Sequence, residues 1–243
     1  MSAIAYIINI ESRFQPGKMR YEFSGDNLQF ANIIMSEGES LEVAPGSVAY
    51  SRGDLEVGKS GGGVLGGLKK AIGGSPLDTV SYGVKRGVGT IGLGGRLPGK
   101  MMDINVEGMG WVAQKDAFVA SQPTVRIEQE YQKKLGSSFG EEGLVLAKFS
   151  GRGMLFLFSL GDYNVFALQK GEELTVATDR AVAWEASVKY RIEVDKDLKS
   201  TFRGKEGPFV TTLTGPGRAV VQSMSPQRMM EAFLPLLPEP EAR

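Results

Sequence analysis

The sequence predicts an all-β protein in which three related antiparallel lobes are arranged with pseudo-threefold symmetry, as a sandwich or barrel. In three segments an apolar strand end meets a turn residue, Gly or Asp, and a second apolar strand follows: 43–50, 113–120 and 176–183. The turn residues Gly46, Asp116 and Asp179 lie 70 and 63 positions apart, so each copy is a lobe of several strands and too long for a solenoid repeat. The pattern itself is typical of a β-hairpin.

Strands are predicted through most of the chain, from alternation of apolar and polar residues or from short apolar runs. The clearest alternation is Val182, Trp184, Ala186, Val188, Tyr190 and Ile192. In chain order the predicted strands are 3–10, 28–34, 40–44, 47–57, 77–83, 100–106, 109–114, 117–128, 144–149, 153–159, 163–169, 173–177, 181–194, 209–214 and 217–222.

A second internal echo sets the expected lobe boundaries. Glu142-Gly143 with the later Gly151-Arg152-Gly153 matches Glu206-Gly207 with Gly215-Pro216-Gly217 at an offset of 64. We therefore expect the copy near the C-terminus to complete the first lobe, so that the two ends of the chain meet. The prediction is one β domain, 1–243, with lobes at about 19–57 completed by 207–223, at 96–128 and at 142–194, a glycine-rich loop at 58–75, and a helix and tail at 224–243.

One helix is predicted after the last strand. Ser225 is a suitable N-cap, Pro226 fits the first helical position, and Pro235 ends the helix. Its apolar face, Met230, Phe233 and Leu234, requires a partner, either the sheet of its own lobe or a neighbouring subunit. The tail that follows contains three prolines and carries no further prediction.

The composition excludes several kinds of chemistry. The chain has no Cys and no His, so it has no disulfide, no thiolate nucleophile, no imidazole metal ligand and no Ser-His pair. Lys plus Arg equals Asp plus Glu at 28 each, so no overall charge attracts the protein to nucleic acid or to a membrane. We find no catalytic constellation, and the sequence predicts a protein that is not an enzyme and has no cofactor and no metal site.

The N-terminal residues do not resemble a targeting signal. Residues 1–11 carry no basic n-region, and their apolar stretch ends within ten residues, which indicates a strand. No run approaches the roughly 20 apolar residues that a transmembrane helix needs. The expectation is a soluble, cytoplasmic protein.

The spacing of Gly53, Gly58, Lys59 and Ser60 satisfies the Walker A pattern. A phosphate-binding loop of this kind leads directly into a helix. Here Asp54 to Val57 alternate like a strand, and three glycines follow the serine, which disfavours a helix. We interpret the match as coincidental.

The segment 58–100 is the predicted working surface. Residues 58–110 hold 17 of the chain's 33 glycines. The segment 58–100 is also basic, with Asp78 as its single acid. If its basic side chains share one face, they form a patch that binds anions, and binding would weaken with salt. The candidate residues for binding an anion or a partner are Lys59, Lys69, Lys70, Lys85, Arg86, Arg96 and Lys100.

A short amphipathic piece lies inside this segment. Its apolar residues are at helical spacing beside Lys69 and Lys70, and they are predicted to make an apolar contact: Val64, Leu65, Leu68 and Ile72. The piece suits a mobile lid, a membrane-surface contact or a contact with a protein partner, and the alternative is that its apolar residues plug one end of a barrel while the Lys side chains are solvated. Nucleic acid is not expected, because Tyr82 beside Lys85 and Arg86 is not part of an interleaved aromatic-basic series.

Several motifs together resemble a known family. They are the glycine-rich run 61–73, the sequence Arg-Leu-Pro-Gly-Lys at 96–100, Thr-Gly-Pro-Gly at 214–217, and the Gly-Glu turns at 38–39 and 171–172. The set resembles the AIM (altered inheritance of mitochondria) family of TRAP-like β proteins, over about residues 19–223. This resemblance implies a pseudo-threefold fold like that of the tryptophan RNA-binding attenuation protein and a homo-oligomer, with a trimer favoured. It implies no catalytic residues, and Gly73-Gly74-Ser75 departs from the Gly-Glu-Ser usual in the family.

Two functions remain open from the sequence. The first is a non-enzymatic, oligomeric binding or scaffold protein that contacts a protein partner or an anionic membrane surface through the segment 58–100. The alternative is an enzyme or sensor for a small anionic metabolite bound between the lobes. A cavity lined by basic and acidic side chains would favour the second, and a flat subunit face would favour the first.

Overall fold

The computed structural model describes residues 19–59, 77–108, 110–132, 144–194 and 209–236. Within these ranges the protein is antiparallel β structure with one α-helix, so the predicted fold class is confirmed. The predicted strand 3–10 lies outside the described residues. None of the helices within the described ranges has the length and apolar character needed to cross a membrane.

The first lobe consists of three long strands, one of which is interrupted, and a short strand β1. β2 and β3 lie end to end along one edge of β5, with a break at Glu37 to Glu39, and β4 pairs along the other edge of β5. β1 adds to the outer edge of β2. The strands are β1 (Arg20–Ser24), β2 (Phe30–Ser36), β3 (Ser40–Val43), β4 (Val48–Lys59) and β5 (Val80–Gly94).

The second lobe repeats this plan. β6 and β7 lie end to end and pair with β11 and β10, and β8 and β9 cover the other edge of the same pair. The break between β6 and β7 contains Gly108 and Gly110, both at positive φ. The strands are β6 (Gly99–Val106), β7 (Trp111–Gln114), β8 (Phe118–Ser121), β9 (Val125–Gln132), β10 (Leu144–Gly151) and β11 (Gly153–Leu160).

The third lobe follows the same order, and the helix comes after it. β12 and β13 pair with β17 and β16, and β14 and β15 cover the other edge. The strands are β12 (Tyr163–Leu168), β13 (Glu173–Ala177), β14 (Ala181–Glu185), β15 (Lys189–Val194), β16 (Phe209–Thr214) and β17 (Gly217–Gln222), and the helix is α1 (Pro226–Phe233). The Ser225 hydroxyl accepts the Arg228 N–H at 3.2 Å, which confirms the predicted N-cap.

The predicted lobe boundaries are wrong, although the repeat is present. The C-terminal strands β16 and β17 pair with β12 to β15, so they complete the third lobe and not the lobe at 19–57. The echo at an offset of 64 is real, but it relates the interrupted strand β10–β11 to β16–β17 and not the first lobe to the last. The three lobes therefore follow one another along the chain.

The three repeated turns are not hairpins. β3 pairs with β5 and β8 rather than with β4, β7 pairs with β10 and β14, and β13 pairs with β16. Each turn is a corner between a strand and the next long strand of its lobe. The second and third corners are single turns of 3-10 helix, Lys115–Ala117 and Thr178–Arg180, and the first corner is a turn at Pro45 and Gly46.

Neighbouring lobes are joined by strand pairing at two seams and by contacts at the pseudo-threefold axis. At the first seam Val43 of β3 lies opposite Ala120 of β8, and at the second Ala113 of β7 lies opposite Ala183 of β14. Parallel bridges join Leu28 to Gly99 and Gly99 to Gly161, residues at or two positions before the start of β2, β6 and β12. These three residues mark the axis.

The lobes share their cores. One buried cluster combines Ile33 and Leu93 of the first lobe with Met101 and Phe156 of the second. Another combines Leu146 of the second lobe with residues of the third, among them Trp184 and Leu213. Because each cluster draws on two lobes, no lobe has a complete core of its own.

The strand prediction missed the longer half of β5. Glycines at outward positions such as Gly92 and Gly94 obscure the alternation that buried Ile91 and Leu93 would otherwise show. An alanine Cβ at Gly92 would lie 2.0 Å from the ring of Tyr50, so the glycine makes room for this aromatic side chain on β4. The strand β1 was missed as well.

Candidate functional site

Several predicted site residues cannot be placed. The cations Lys69 and Lys70 lie outside the described residues, and Lys59 ends β4 but its side chain is not described. The predicted apolar contact also lies outside the described residues: Val64, Leu65, Leu68 and Ile72.

Lys85 and Arg86 lie together at an exposed bend in β5. Arg86 Nε contacts Asp54 Oδ2 at 3.0 Å, and 84% of the Arg86 side chain is exposed. The carboxylate of Glu37 accepts the Gly87 N–H at 3.2 Å, so acids flank this basic pair on both sides. An exposed ion pair of this kind adds little stability. The bend is therefore a solvated surface of mixed charge.

Arg96 and Lys100 lie at the opposite end of β5, close to the axis residue Gly99. Arg96 donates to the Pro45 carbonyl at 3.3 Å. Lys100 Nζ lies 3.0 Å from Asp162 Oδ1, and this hydrogen bond, with a second from the Tyr163 N–H, lowers the pKa of the Asp162 carboxyl. The described cations thus occupy two separate places and do not form one face.

A tyrosine-carboxylate contact joins β1 and β6, the two end strands of an eight-stranded sheet in the order β1-β2-β5-β3-β8-β11-β6, in which β4 also pairs with β5. Tyr21 of β1 donates its hydroxyl to Asp103 Oδ2 of β6 at 2.6 Å, and its ring meets Phe156 edge-on at 5.1 Å. Burial, followed by the hydrogen bond and the charge of Asp103, raises the pKa of Tyr21. The phenol therefore stays protonated and serves as a structural link.

A cavity of about 610 Å³, here named the axial cavity, lies among the described residues. Its walls are largely apolar and come from all three lobes: Leu77, Phe118, Val119, Phe158, Leu160 and Val182. Its polar lining includes Ser47, Asp78, Arg96, Lys115, Asp116 and Gln129. Of the seven predicted basic residues, Arg96 is the one that the structure places in this lining.

The strand register explains why the cavity lies at the axis. Gly94, Phe158 and Gln222 are equivalent, because each pairs with the residue two positions after an axis residue. All three line the cavity. These equivalent positions therefore hold unlike residues, a glycine, a phenylalanine and a glutamine.

Two polar side chains at the cavity already form hydrogen bonds within the protein. Gln222 donates from Nε2 to the Asp179 carbonyl at 2.9 Å and accepts the Leu160 N–H at 2.9 Å. Gln114 donates to backbone carbonyls of the third corner. Ser47, which is only 6% exposed, also lines the cavity, and its carbonyl accepts the Gly94 N–H at 2.8 Å.

Sequence reasoning missed the cavity, although the repeat contained its signal. The corners at 43–50 and 113–120 were recognised, and their residues Ala44, Ser47 and Phe118 line the cavity. Within the described residues there is no group of three or more His, Cys, Asp or Glu that could hold a metal ion.

The fold and the cavity define a three-lobed all-β protein with a ligand-sized space at its axis. The family described as mitochondrial biogenesis AIM24 matches residues 21–224, and the chain belongs to this family. A crystal structure of a protein from Streptococcus pyogenes has the same fold, with a TM-score of 0.73 and 20% identity, over 90% of this chain and 100% of that one. No curated protein matches the sequence. The resemblance to the family is therefore confirmed, while the likeness to the tryptophan RNA-binding attenuation protein stays a prediction.

Proposed function

We propose that this protein is a non-enzymatic binding protein whose axial cavity takes a small ligand with an anionic head and an apolar body. The observation that carries the proposal is the combination of an apolar cavity with a guanidinium, Arg96, in its lining. This is the binding form of the alternative that the sequence left open, a small anionic metabolite held between lobes.

The size and lining of the cavity support a small molecule. A volume of about 610 Å³ lies within the range of about 300–1,000 Å³ that small-molecule sites usually have. Phe118 and Phe158 supply buried aromatic surface on one side. Such walls favour an apolar body, and the few polar groups then fix its orientation.

The polar groups favour an anionic head near Arg96. Arg96 and Lys115 are balanced by Asp78 and Asp116, so the net charge of the lining does not select an anion. The guanidinium does so through its geometry, because its parallel N–H groups match the two oxygens of a carboxylate. Arg96 and Ser47 are held close together, since Arg96 bonds to the Pro45 carbonyl and the Gly94 N–H bonds to the Ser47 carbonyl.

The substitution Arg96→Gln tests this assignment with 3-phenylpropionate as the probe. We expect the variant to bind the probe about tenfold or more weakly, because a charged hydrogen bond is lost. Binding of 3-phenylpropanol, which has the same body and no charge, should be unchanged. Both affinities are measured by isothermal titration calorimetry.

A matched control is Arg86→Gln, which removes a cation from the distant bend of β5 and should leave the affinity for 3-phenylpropionate unaltered. Equal losses in the two variants would show that the protein responds to total charge and not to Arg96. Absence of binding to either probe would contradict the proposed function.

A second candidate is the scaffold that contacts an anionic surface through the segment 58–100. The exposure of Lys85 and Arg86 favours it, and the acids beside them argue against it. The exposed apolar residues of α1, Met230 and Phe233, favour the predicted homo-oligomer. The trimeric state, the protein partner and the cytoplasmic location remain predictions.

The double substitution Lys69→Glu and Lys70→Glu tests the scaffold. If this function is right, the variant should keep the wild-type melting temperature and lose binding to vesicles containing anionic lipid. Two positive charges on one short segment become negative, which changes its net charge by four units. Co-sedimentation with vesicles measures the loss. Binding equal to that of the wild type would remove this candidate.

A further inference from the structure

The two seams between lobes are built alike, but one amide closes only the second of them. At the second seam Ala113 lies opposite Ala183, and the next residue is Gln114. At the first seam Val43 lies opposite Ala120, and the next residue is Ala44. The register therefore makes Ala44 the counterpart of Gln114.

The side chain of Gln114 fills the second seam. Its Nε2 donates to the carbonyl of Thr178 at 2.7 Å and to that of Ala181 at 2.8 Å. Thr178 begins the 3-10 turn of the third corner, and the Ala181 N–H closes this turn on the Thr178 carbonyl. One amide thus joins the second lobe to the third corner.

The counterparts of these carbonyls at the first seam belong to Lys115 and Phe118. The second corner has the same 3-10 turn, which the Phe118 N–H closes on the Lys115 carbonyl. Alanine at position 44 has no amide to offer them. Ala44, Lys115 and Phe118 all line the axial cavity, so a ligand bound there lies beside the first seam.

We propose that the ligand of the axial cavity carries an N–H donor, which takes the place of the amide that Ala44 lacks and bonds to the carbonyls of Lys115 and Phe118. Together with the anionic head, this makes the ligand a small carboxylic acid with an apolar body and an amide or amine group. The inference rests on the proposed function, because it assigns a second recognition point within the same cavity.

Two probes that differ in one group test the donor. N-benzoylglycine and O-benzoylglycolate share the ring and the carboxylate, and the first has an N–H where the second has an ester oxygen. We expect the wild type to bind N-benzoylglycine about tenfold more tightly, since the ester oxygen would face carbonyl oxygens without a hydrogen bond. Calorimetric titration gives both affinities.

The substitution Ala44→Gln tests whether the ligand's N–H group takes the place of the amide that Ala44 lacks. We expect the new amide to bond as Gln114 does, to fill the space and to abolish binding of N-benzoylglycine, while the melting temperature stays at or above that of the wild type. The control Arg86→Gln, at the distant bend of β5, should bind N-benzoylglycine as the wild type does. If Ala44→Gln fails to fold, Ala44→Met fills the same space and must also block binding.

The outcomes separate this inference from the proposed function. Equal affinity for the two benzoyl probes, or binding by a folded Ala44→Gln or Ala44→Met variant, overturns the N–H assignment, while dependence of 3-phenylpropionate binding on Arg96 would still stand. If the wild type binds none of the carboxylates, both the inference and the proposed function are overturned.

Discussion

Replacing Gly110 with alanine is expected to destabilise the protein by about 3 kcal/mol or more, because the new methyl group has nowhere to go. Gly110 lies in the break between β6 and β7 at a φ of +86°. A Cβ there would lie 2.1 Å from the Phe149 carbonyl oxygen, which belongs to the backbone of β10 and cannot rotate away. The Gly110 carbonyl also accepts the Ala186 N–H of the third lobe at 3.0 Å, so a shift would reach across the second seam.

Gly108 provides the matched control two residues away. Its φ is +67°, and an alanine Cβ there would meet nothing within 4 Å. The substitution Gly108→Ala should therefore cost only the strain of a left-handed alanine, about 1 kcal/mol. Urea denaturation of the two variants gives both values, and equal costs would mean that the break between β6 and β7 is looser than its geometry indicates.

The substitution Phe156→Ala should have the next largest effect, a loss of about 3–5 kcal/mol. Phe156 of β11 is fully buried in the core that the first and second lobes share, and its ring packs against the edge of Tyr21. Truncation removes buried apolar surface and leaves a cavity. The free energy of unfolding, measured in urea, gives the loss.

Phe166→Ala is the control for this truncation. Phe166 lies on β12 with 37% of its surface exposed, and its loss should cost less than about 1 kcal/mol. A Phe156→Ala variant no less stable than Phe166→Ala would show that the first two lobes do not depend on a shared core.

The threefold plan could be predicted from the sequence because the corners repeat a local pattern. Gly46, Asp116 and Asp179 each follow an apolar strand end, and short-range chemistry of this kind survives in a single sequence. The helix α1 was predicted for the same reason, since Ser225 and Pro226 are local signals that the structure confirms.

Strand pairing could not be predicted, because it depends on long-range contacts. An apolar–turn–apolar pattern looks the same whether the two strands pair with each other or with different partners. Val43 pairs across the first seam with Ala120, far along the chain, and no local signal marks this choice. The outward glycines of β5 concealed its alternation in a similar way, and one of them, Gly92, is required by a long-range contact with Tyr50.

The site was predicted only in part. An excess of basic residues in one segment of the sequence does not show which acids pair with them in the folded protein. Arg86 is paired with Asp54 and Lys100 with Asp162, acids that lie outside the basic segment or far from it in sequence. The axial cavity gives no local pattern, because its lining residues are far apart in the sequence. Comparing Ala44 with Gln114 across the repeat was the signal that could have found it.

The central claim is that the axial cavity is the binding site, and a solution NMR titration with N-benzoylglycine tests it most directly. We expect the amide signals of Ala44, Arg96 and Phe118 to shift with a common affinity, while those of Lys85 and Arg86 at the bend of β5 stay in place. Shifts that follow the bend of β5 or the helix α1, and leave the signals of the cavity unmoved, would contradict the claim.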